Sequence, residues 1–505
     1  MVTKKQTIEA KANIINEYQE RLKKLELLKS AGINPYPAKT ERNFAVAEVL
    51  AQFSKLAKSA KECVIAGRLR SLREHGNLVF ADLEDGSGRI QLAISKKNVG
   101  EEPYKLFLKI IDIGDFIEAQ GKAFLTHTGQ QSLEVRSYKI LTKTLRPLPA
   151  EHFGFKDEEE RLRKRYLDIL YNPELKEMIK KRAEFWSAIR DFLIKKGFLE
   201  VETPVLETTT GGADARPFAT HHNALDIDVY LRISMGELWQ KRLMVAGFEK
   251  TFEIGRQFRN EGMDAEHLQD YTQMEFYWAY ADYEEGMKLV EEMYKSVAKK
   301  VFGILKFKIG KFNIDLGKKW ERYDYVEVIK QYTKINVLQT NIQEVEYKLK
   351  ELKIDYDKKG FNITRAIDNL WKYARRQISG PGFLINVPAA ISPLAKRDDR
   401  NQAITQRFQP IIAGSELGNG YSELNDPIDQ RRRFEEQQKL RAAGDEEAQM
   451  ADWEFVEALE YGMPPTCGFG MSERVFSFLM NKPARECQIF PLLRPKLNNN
   501  NSILW

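Results

Sequence analysis

Seven residues, Tyr271-Thr272-Gln273-Met274-Glu275-Phe276-Tyr277, constrain this chain more than any others. Side chains along a strand point alternately to opposite faces, so Tyr271, Gln273, Glu275 and Tyr277 share one face while Thr272, Met274 and Phe276 share the other. One face is an aromatic platform carrying a carboxylate, and the other can join a core. Just upstream, Phe258-Arg259-Asn260-Glu261 and His267 supply a guanidinium, an acid and an imidazole. A hairpin joining the two segments sets a phosphate-binding guanidinium opposite a ring able to stack on a base. The combination reads as a nucleotide site. Four residues in isolation fit a solvated hairpin equally well, so the rest of the chain decides.

Between Cys63 and Leu141, β-rich runs at 64–69, 78–83, 89–94, 116–124 and 133–140 alternate with turn signals. Five such strands predict a small barrel at 63–145, of the OB-fold type that binds single-stranded nucleic acid with exposed aromatics. Residues 1–62 read as a helical extension. There Ile8, Ile15, Tyr18, Leu22, Leu25 and Leu28 recur at helical spacing, and Lys11, Arg21, Lys23, Lys24 and Lys29 fall mostly elsewhere, as a solvated face. Ala31-Gly32 ends that helix. Arg146-Pro147-Leu148-Pro149 opens a linker at 146–171, and a second domain at 172–497 alternates helices and strands. Within it, 301–375 carries charged helical patterns without chemistry-bearing motifs and reads as an insertion with peripheral helices. The asparagine-rich end, 498–505, reads as a disordered tail.

With 505 residues and 43% hydrophobic content the chain can bury the cores of two or three domains. Its three cysteines, Cys63, Cys467 and Cys487, are too far apart and too few for a disulfide framework or a zinc cluster, and suit a reducing compartment. No signal-like N-terminal run and no bilayer-length apolar stretch is present, which predicts a cytoplasmic protein with no membrane partner. The excess of 79 basic over 73 acidic residues, +6, is compatible with nucleic acid and proves nothing alone.

Phe258 to Glu261 with His267 resembles motif 2 of the class II aminoacyl-tRNA synthetases, specifically those of the lysine type. Gly197-Phe198-Leu199-Glu200-Val201-Glu202-Thr203-Pro204 resembles motif 1, and Gly468-Phe469-Gly470 through Arg474 resembles motif 3. Between them stand Gly211-Gly212-Ala213-Asp214-Ala215-Arg216-Pro217-Phe218, Ser392-Pro393-Leu394-Ala395-Lys396 and Gly418-Asn419-Gly420-Tyr421-Ser422-Glu423-Leu424-Asn425-Asp426-Pro427, in the family's order. The resemblance implies an α+β fold, an N-terminal five-stranded OB-fold β-barrel followed by an antiparallel sheet flanked by helices. It implies a homodimer that activates L-lysine with ATP and Mg2+ and transfers it to the 3′ end of tRNA(Lys).

Both reacting partners are anionic, so such a site must supply positive charge and alignment. The resemblance assigns Arg259 to the α-phosphate, His267 to the γ-phosphate and Arg474 to the far phosphates, with Tyr271 sandwiching adenine against Arg474. Glu261 then contacts adenine or orients Arg259. Glu275, Tyr277 and Glu423, two acids and a phenol, suit one ammonium group, so a cationic side chain is the natural guest. Glu237 resembles the acid that meets the α-amino group, with Gly212 giving backbone contacts and Asn419 orienting the substrate. Lysine is favoured over aspartate or asparagine.

Glu416 matches a magnesium ligand, but its partner, usually glutamate, is here Gln409, which neutralises less charge. Arg68, Phe80 and Gln91 correspond to anticodon contacts; taken without the family, Phe80 reads as core. Other positions depart from the family. The segment before Glu237 carries one extra residue, which a bulge at Gly236 would absorb, and motif 3 is one residue short. Glu266 stands where a basic residue is common, and Gln130 where an anticodon-contacting glutamate is. Two alternatives remain: an aspartate- or asparagine-type ligase, and a catalytically impaired, synthetase-like protein that binds RNA or senses lysine.

Overall fold

The computed structural model describes residues 4–59, 61–149, 157–213, 215–262, 266–356, 361–443 and 448–495, with the backbone alone for 4–15. Asp214 of the glycine-rich motif and the expected tail at 498–505 lie outside these residues. The chain divides into two compact units, Met1–Gly154 and Phe155–Trp505.

In the first unit, β1 (Glu62–His75), β2 (Leu78–Glu84), β3 (Arg89–Ser95), β4 (Phe116–Leu125) and β5 (Gln131–Thr142) close a barrel in the order β1-β2-β3-β5-β4. Alternation drives the closure: Val79, Ala81 and Leu83 of β2 turn inward to meet Ile65 and Leu69 of β1 and Ile90 and Leu92 of β3. The long strand β1 shifts register between Leu69 and Ser71, which lets it bend and pair with both β2 and β4. The helix Lys4–Ser30 contributes Leu28 to this core.

Arg21 overturns part of the helix reading. It is 4% exposed, on the buried side with Leu25 and Leu28. Its guanidinium donates to Glu17, to Thr144 Oγ1 at 2.8 Å and to the Ile113 carbonyl at 3.2 Å. A guanidinium tolerates burial when its N–H groups find such partners.

In the second unit, β6 (Leu199–Glu200) precedes a small sheet, β7-β9-β8, made of β7 (Leu206–Glu207), β8 (Ala219–His222) and β9 (Ile227–Leu231). Then come β10 (Lys250–Phe258), β11 (Asp270–Ala279), a hairpin of β12 (Lys306–Ile309) and β13 (Phe312–Asp315), and β14 (Glu321–Asp324). The last strands are β15 (Gly382–Ile385), β16 (Arg407–Ile412), β17 (Ser415–Glu416), β18 (Asn419–Ser422) and β19 (Thr466–Ser472).

The nine-stranded main sheet runs β14-β15-β16-β18-β19-β11-β10-β6, with β17 paired to β16. It is antiparallel except at its two end pairs, β14 with β15 and β10 with β6. Phe252, Met274 and Phe276 pack with the helices Pro173–Lys195 and Tyr283–Phe302 in one core. Asn172 caps the first of those helices and an Asp282/Glu285 capping box opens the second.

Two stretches carry more of the fold than their sequences suggest. Residues 157–171 form the helices Glu158–Arg163 and Arg165–Tyr171, and Arg165 bonds Asp168 at 3.0 Å and the Gln488 carbonyl at 3.3 Å. The region expected to be peripheral, 301–375, supplies β14, an end strand of the main sheet. Its helices Tyr325–Thr333, Ile342–Glu351 and Ile363–Arg375 build a separate core around Ile329, Leu349 and Leu370. Among the described residues no helix is long and apolar enough to cross a membrane, and all three cysteines are buried thiols.

Candidate active site

A cavity of about 380 Å³ is lined by Tyr271, Gln273, Glu275 and Tyr277 of β11, while Met274 and Phe276 turn the other way into the core. The period of two read from the sequence therefore places the strand's polar face on the cavity. β10 and β11 pair antiparallel as far as Phe258 opposite Asp270, so Arg259 is the first residue beyond the ladder. Its guanidinium lies 5.9 Å from the Tyr271 ring centroid and its Nε donates to the Ile233 carbonyl at 3.2 Å. Glu261 and His267 also line the cavity and are exposed.

Arg474 enters from the first turn of the helix Arg474–Leu479, directly after β19. Because it stands past the strand, its direction is not set by alternation. β19 itself pairs with β11 without a register shift, from Ser472 opposite Gln273 to Thr466 opposite Ala279. One Arg474 Nη atom donates to Ser415 Oγ at 2.7 Å and to the Glu266 carboxylate. Burial alone would raise the Glu266 carboxyl, but Arg474, the Ser415 hydroxyl and Arg375 outweigh it and hold it below the usual carboxylate range.

The other end of the cavity is acidic and buried. Glu275 Oε1 accepts from the Met235 amide at 2.9 Å and from Gln273 Nε2 at 2.5 Å, and its Oε2 accepts from the Tyr277 hydroxyl at 3.1 Å. Glu423 is 1% exposed and its Oε1 has no hydrogen-bond partner. Burial, with Glu237 nearby, pushes the Glu275 carboxyl up to about 7; burial also drives Glu423 well above its ordinary value despite Lys241. A Cβ on Gly468 would lie 2.0 Å from Glu423 Oε1 and 2.7 Å from Tyr277 Cε1, so only glycine leaves room for both side chains.

Glu237 opens the helix Glu237–Val245, and Gly212 lines the wall beside it. Gly236 does not bulge a strand. It sits in the left-handed region, φ 66°, at the N-cap of that helix, in the turn between β9 and the helix.

The sequence reading missed Lys241, one helical turn beyond Glu237. It is 1% exposed, with Nζ 2.7 Å from Glu237 Oε1 and 2.6 Å from Glu423 Oε2. Burial pulls its pKa down, but the two carboxylates outweigh burial and hold it above the usual value. The Tyr421 hydroxyl donates to Glu237 as well. The signal was present as a Glu–Lys pair at i,i+4, but such pairs usually lie on solvated faces.

Arg407, also unpredicted, donates to Asn419 Oδ1 at 2.8 Å and to Ser392 Oγ at 3.1 Å, which fixes Asn419 in the wall. Glu416 and Gln409 line the cavity too, and Glu416 Oε1 accepts the indole N–H of Trp371, from the region expected to be peripheral. No group of three or more His, Cys, Asp or Glu gathers to hold a metal among the described residues. Glu416 and Gln409 together offer the cavity one carboxylate and one amide oxygen, donors of the hard type that a magnesium ion takes.

On the barrel, Arg68, Phe80 and Gln91 project outward. Arg68 lies opposite Glu84 and Gln91 opposite Asp82, while Phe80 alternates with the inward Val79 and Ala81. Phe80 is half-buried, edge-on to His75 at 5.9 Å, so the core reading of this residue fails by one position in the alternation. The Arg68 guanidinium lies 4.3 Å from the Phe116 ring centroid, and Gln91 Oε1 accepts from Ser132 Oγ at 2.9 Å.

Comparison with known proteins agrees with this geometry. Residues 157–494 match the tRNA synthetases class II (D, K and N), and residues 63–141 match the OB-fold nucleic acid binding domain. A lysine–tRNA ligase of Moorella thermoacetica is 46% identical over 480 residues, covering 94% of this chain and 97% of its own. That of Thermotoga maritima is 42% identical over 490 residues, 96% and 97% of the two chains. That of Thermoanaerobacter pseudethanolicus is 45% identical over 484 residues, 94% and 95%. With both domains matched in order and relatives aligned almost end to end, the chain belongs to the lysine–tRNA ligase family of class II tRNA synthetases.

Proposed function

We propose that the cavity activates L-lysine with ATP to lysyl-adenylate, and that a hydroxyl at the 3′ end of tRNA(Lys) then attacks the lysyl carbonyl and releases AMP. A lysine carboxylate oxygen attacks the α-phosphorus, the bond to the β-phosphate bridging oxygen breaks, and pyrophosphate leaves. Arg259 sits beside the stacking ring of Tyr271, where a guanidinium can hold the α-phosphate and its developing charge. His267 and Arg474 receive the far phosphates, the Tyr271 and Arg474 planes flank adenine, and Glu261 orients the base or Arg259. Glu416 and Gln409 would hold a magnesium ion, which when bound would supply neutralising charge to the triphosphate.

The observation that carries lysine specificity is the unpartnered Glu423 Oε1, buried with Glu275 and Tyr277. Glu237 and Glu423 both pair with one resident ammonium, Lys241, and Glu275, close to Glu237, is a third buried carboxylate of the same wall. Two negative charges are left over when all are ionised, matching the α- and ε-ammonium groups of lysine. Glu237 takes the first, Glu275, Tyr277 and Glu423 the second, and Gly212 and Asn419 hold the backbone of the substrate. An aspartate or asparagine side chain would meet acids there, at a large desolvation cost.

The outward row of Arg68, Phe80 and Gln91 supports anticodon recognition, with Phe80 stacking on a base and Gln91 reading a base edge. Leu199, Val205 and Leu206, exposed apolar residues in and beside the motif 1 segment, support a homodimer through that face.

Lysine-dependent ATP–pyrophosphate exchange, run beside aspartate, asparagine and arginine, tests the reading. Exchange with lysine alone is expected. Exchange with none of the four, from folded protein at ample magnesium, would make the binding-protein alternative the better account.

A further inference from the structure

Arg474 is already occupied. The Nη group that donates to Ser415 Oγ at 2.7 Å also holds the Glu266 carboxylate, and Ser415 Oγ donates to Glu266 Oε2 at 2.8 Å, closing a triangle that Arg375 flanks by donating to Ser415 Oγ at 3.4 Å. Ser415 is 1% exposed on β17, and Arg474 is rooted at a helix start directly after β19. Glu266 stands on the loop between β10 and β11 with about a third of its side chain exposed. Two members of the cluster are therefore fixed by packing, and the third, on the loop, is the one that can leave.

A carboxylate and a phosphate compete for the same guanidinium N–H groups. We propose that Glu266 is an internal competitor for the terminal phosphates of ATP, so that nucleotide binds by exchanging its phosphate oxygens for the Glu266 carboxylate at Arg474 and Ser415. The proposal rests on the reading of this cavity as the ATP site. In the ligand-free protein the carboxylate keeps a largely buried cation paired, since Arg474 Nε is itself buried without a partner. When pyrophosphate leaves, Glu266 returns and disfavours its rebinding.

The exchange separates two ligands. ATP needs the N–H edge of Arg474 and must displace Glu266, whereas AMP uses the face of the guanidinium and the Tyr271 ring and need not. If the pair is closed nine-tenths of the time, it lowers apparent ATP affinity about tenfold.

The test is calorimetric titration of the full-length protein and its Glu266→Gln variant with ATP and, separately, with AMP, at one fixed magnesium concentration and without lysine. The expected result is about tenfold tighter ATP binding by Glu266→Gln, with AMP affinity unchanged. A merely structural role for Glu266 would not tighten binding of one nucleotide alone. Equal or weaker ATP binding by the variant, with AMP still bound by both proteins, would overturn the proposal and leave the ATP-site reading standing. Failure of both proteins to bind either nucleotide would overturn the two together.

Discussion

The two ends of the cavity solve opposite problems. At the acidic end, Glu237, Glu275, Glu423 and Lys241 are all nearly inaccessible to water, and among the described residues Lys241 is the one ammonium paired there, with Glu237 and Glu423. At the phosphate end, Glu261 and His267 are exposed and Glu266 is about a third exposed. Interactions among buried charges are strong and unscreened, so a wrong guest is expensive there; exposed charges are screened and cheap to rearrange. Discrimination between amino acids belongs in the first environment. Exchange of nucleotide and pyrophosphate belongs in the second.

Breaking the phosphate end should have the largest effect on chemistry. Arg259→Ala should lower lysine-dependent exchange about a thousandfold, roughly 4 kcal/mol of transition-state stabilisation, while leaving equilibrium lysine binding almost unchanged. A parallel loss of lysine binding would show that the two ends are not separable.

At the acidic end, Lys241→Met leaves Glu237 and Glu423 buried together without a cation. Folding stability should fall by about 3 kcal/mol in chemical denaturation, and saturating lysine should recover more of it than it adds to the wild type. Unchanged stability would remove Lys241 as the resident counter-ion.

Glu423→Gln sharpens the same contrast more gently. Loss of one buried charged partner, about 2.7 kcal/mol, should raise the KM for lysine about a hundredfold and leave the KM for ATP alone.

The smallest effect is the pH response of Glu275, whose carboxyl is raised from 4.5 to about 7, chiefly by burial. An unfolded chain loses that proton first, so the ligand-free fold should lose stability as pH rises from 4.5 to about 7. In the proposed binding mode the lysine ammonium pairs with the ionised carboxylate. The KM for lysine should therefore rise by up to about tenfold per pH unit below about 7, and its binding near pH 6 should release a proton detectable by calorimetry in buffers of different ionisation heat. A KM for lysine that is flat from pH 6 to 8 would argue against this.

Much of this was legible in the residues because it is local. The cavity face of β11 follows from a period of two, and the barrel follows from short alternating runs with turns between them. What escaped depends on partners far along the chain. β14 pairs in parallel with β15, and its four residues carry no apolar alternation that marks a sheet strand. Trp371 reaches Glu416 from a helix whose pattern speaks only of its own small core. Lys241 and Arg21 look like ordinary lysine and arginine on helices, because nothing local announces that their partners lie in a buried wall or across the fold. Gly236 reads as a strand bulge in the sequence, whereas it caps the start of a helix, which has no alternating faces to reverse.

One consequence of β11 concerns length. In the binding mode proposed above, Tyr271 marks the adenine position and Glu275 the far ammonium, and both ride on β11, which pairs with β10 along its length and with β19 from Gln273 onward. Four residues of such a strand span roughly 13 Å, with little freedom to stretch. In that mode the strand would act as a ruler along the bound pair, from the purine to the tip of the amino acid. A diamine acid one methylene shorter, such as ornithine, can place its carboxylate at the phosphorus or its terminal nitrogen between Glu275 and Glu423, but not both. Offered in the exchange assay, it reads that distance directly.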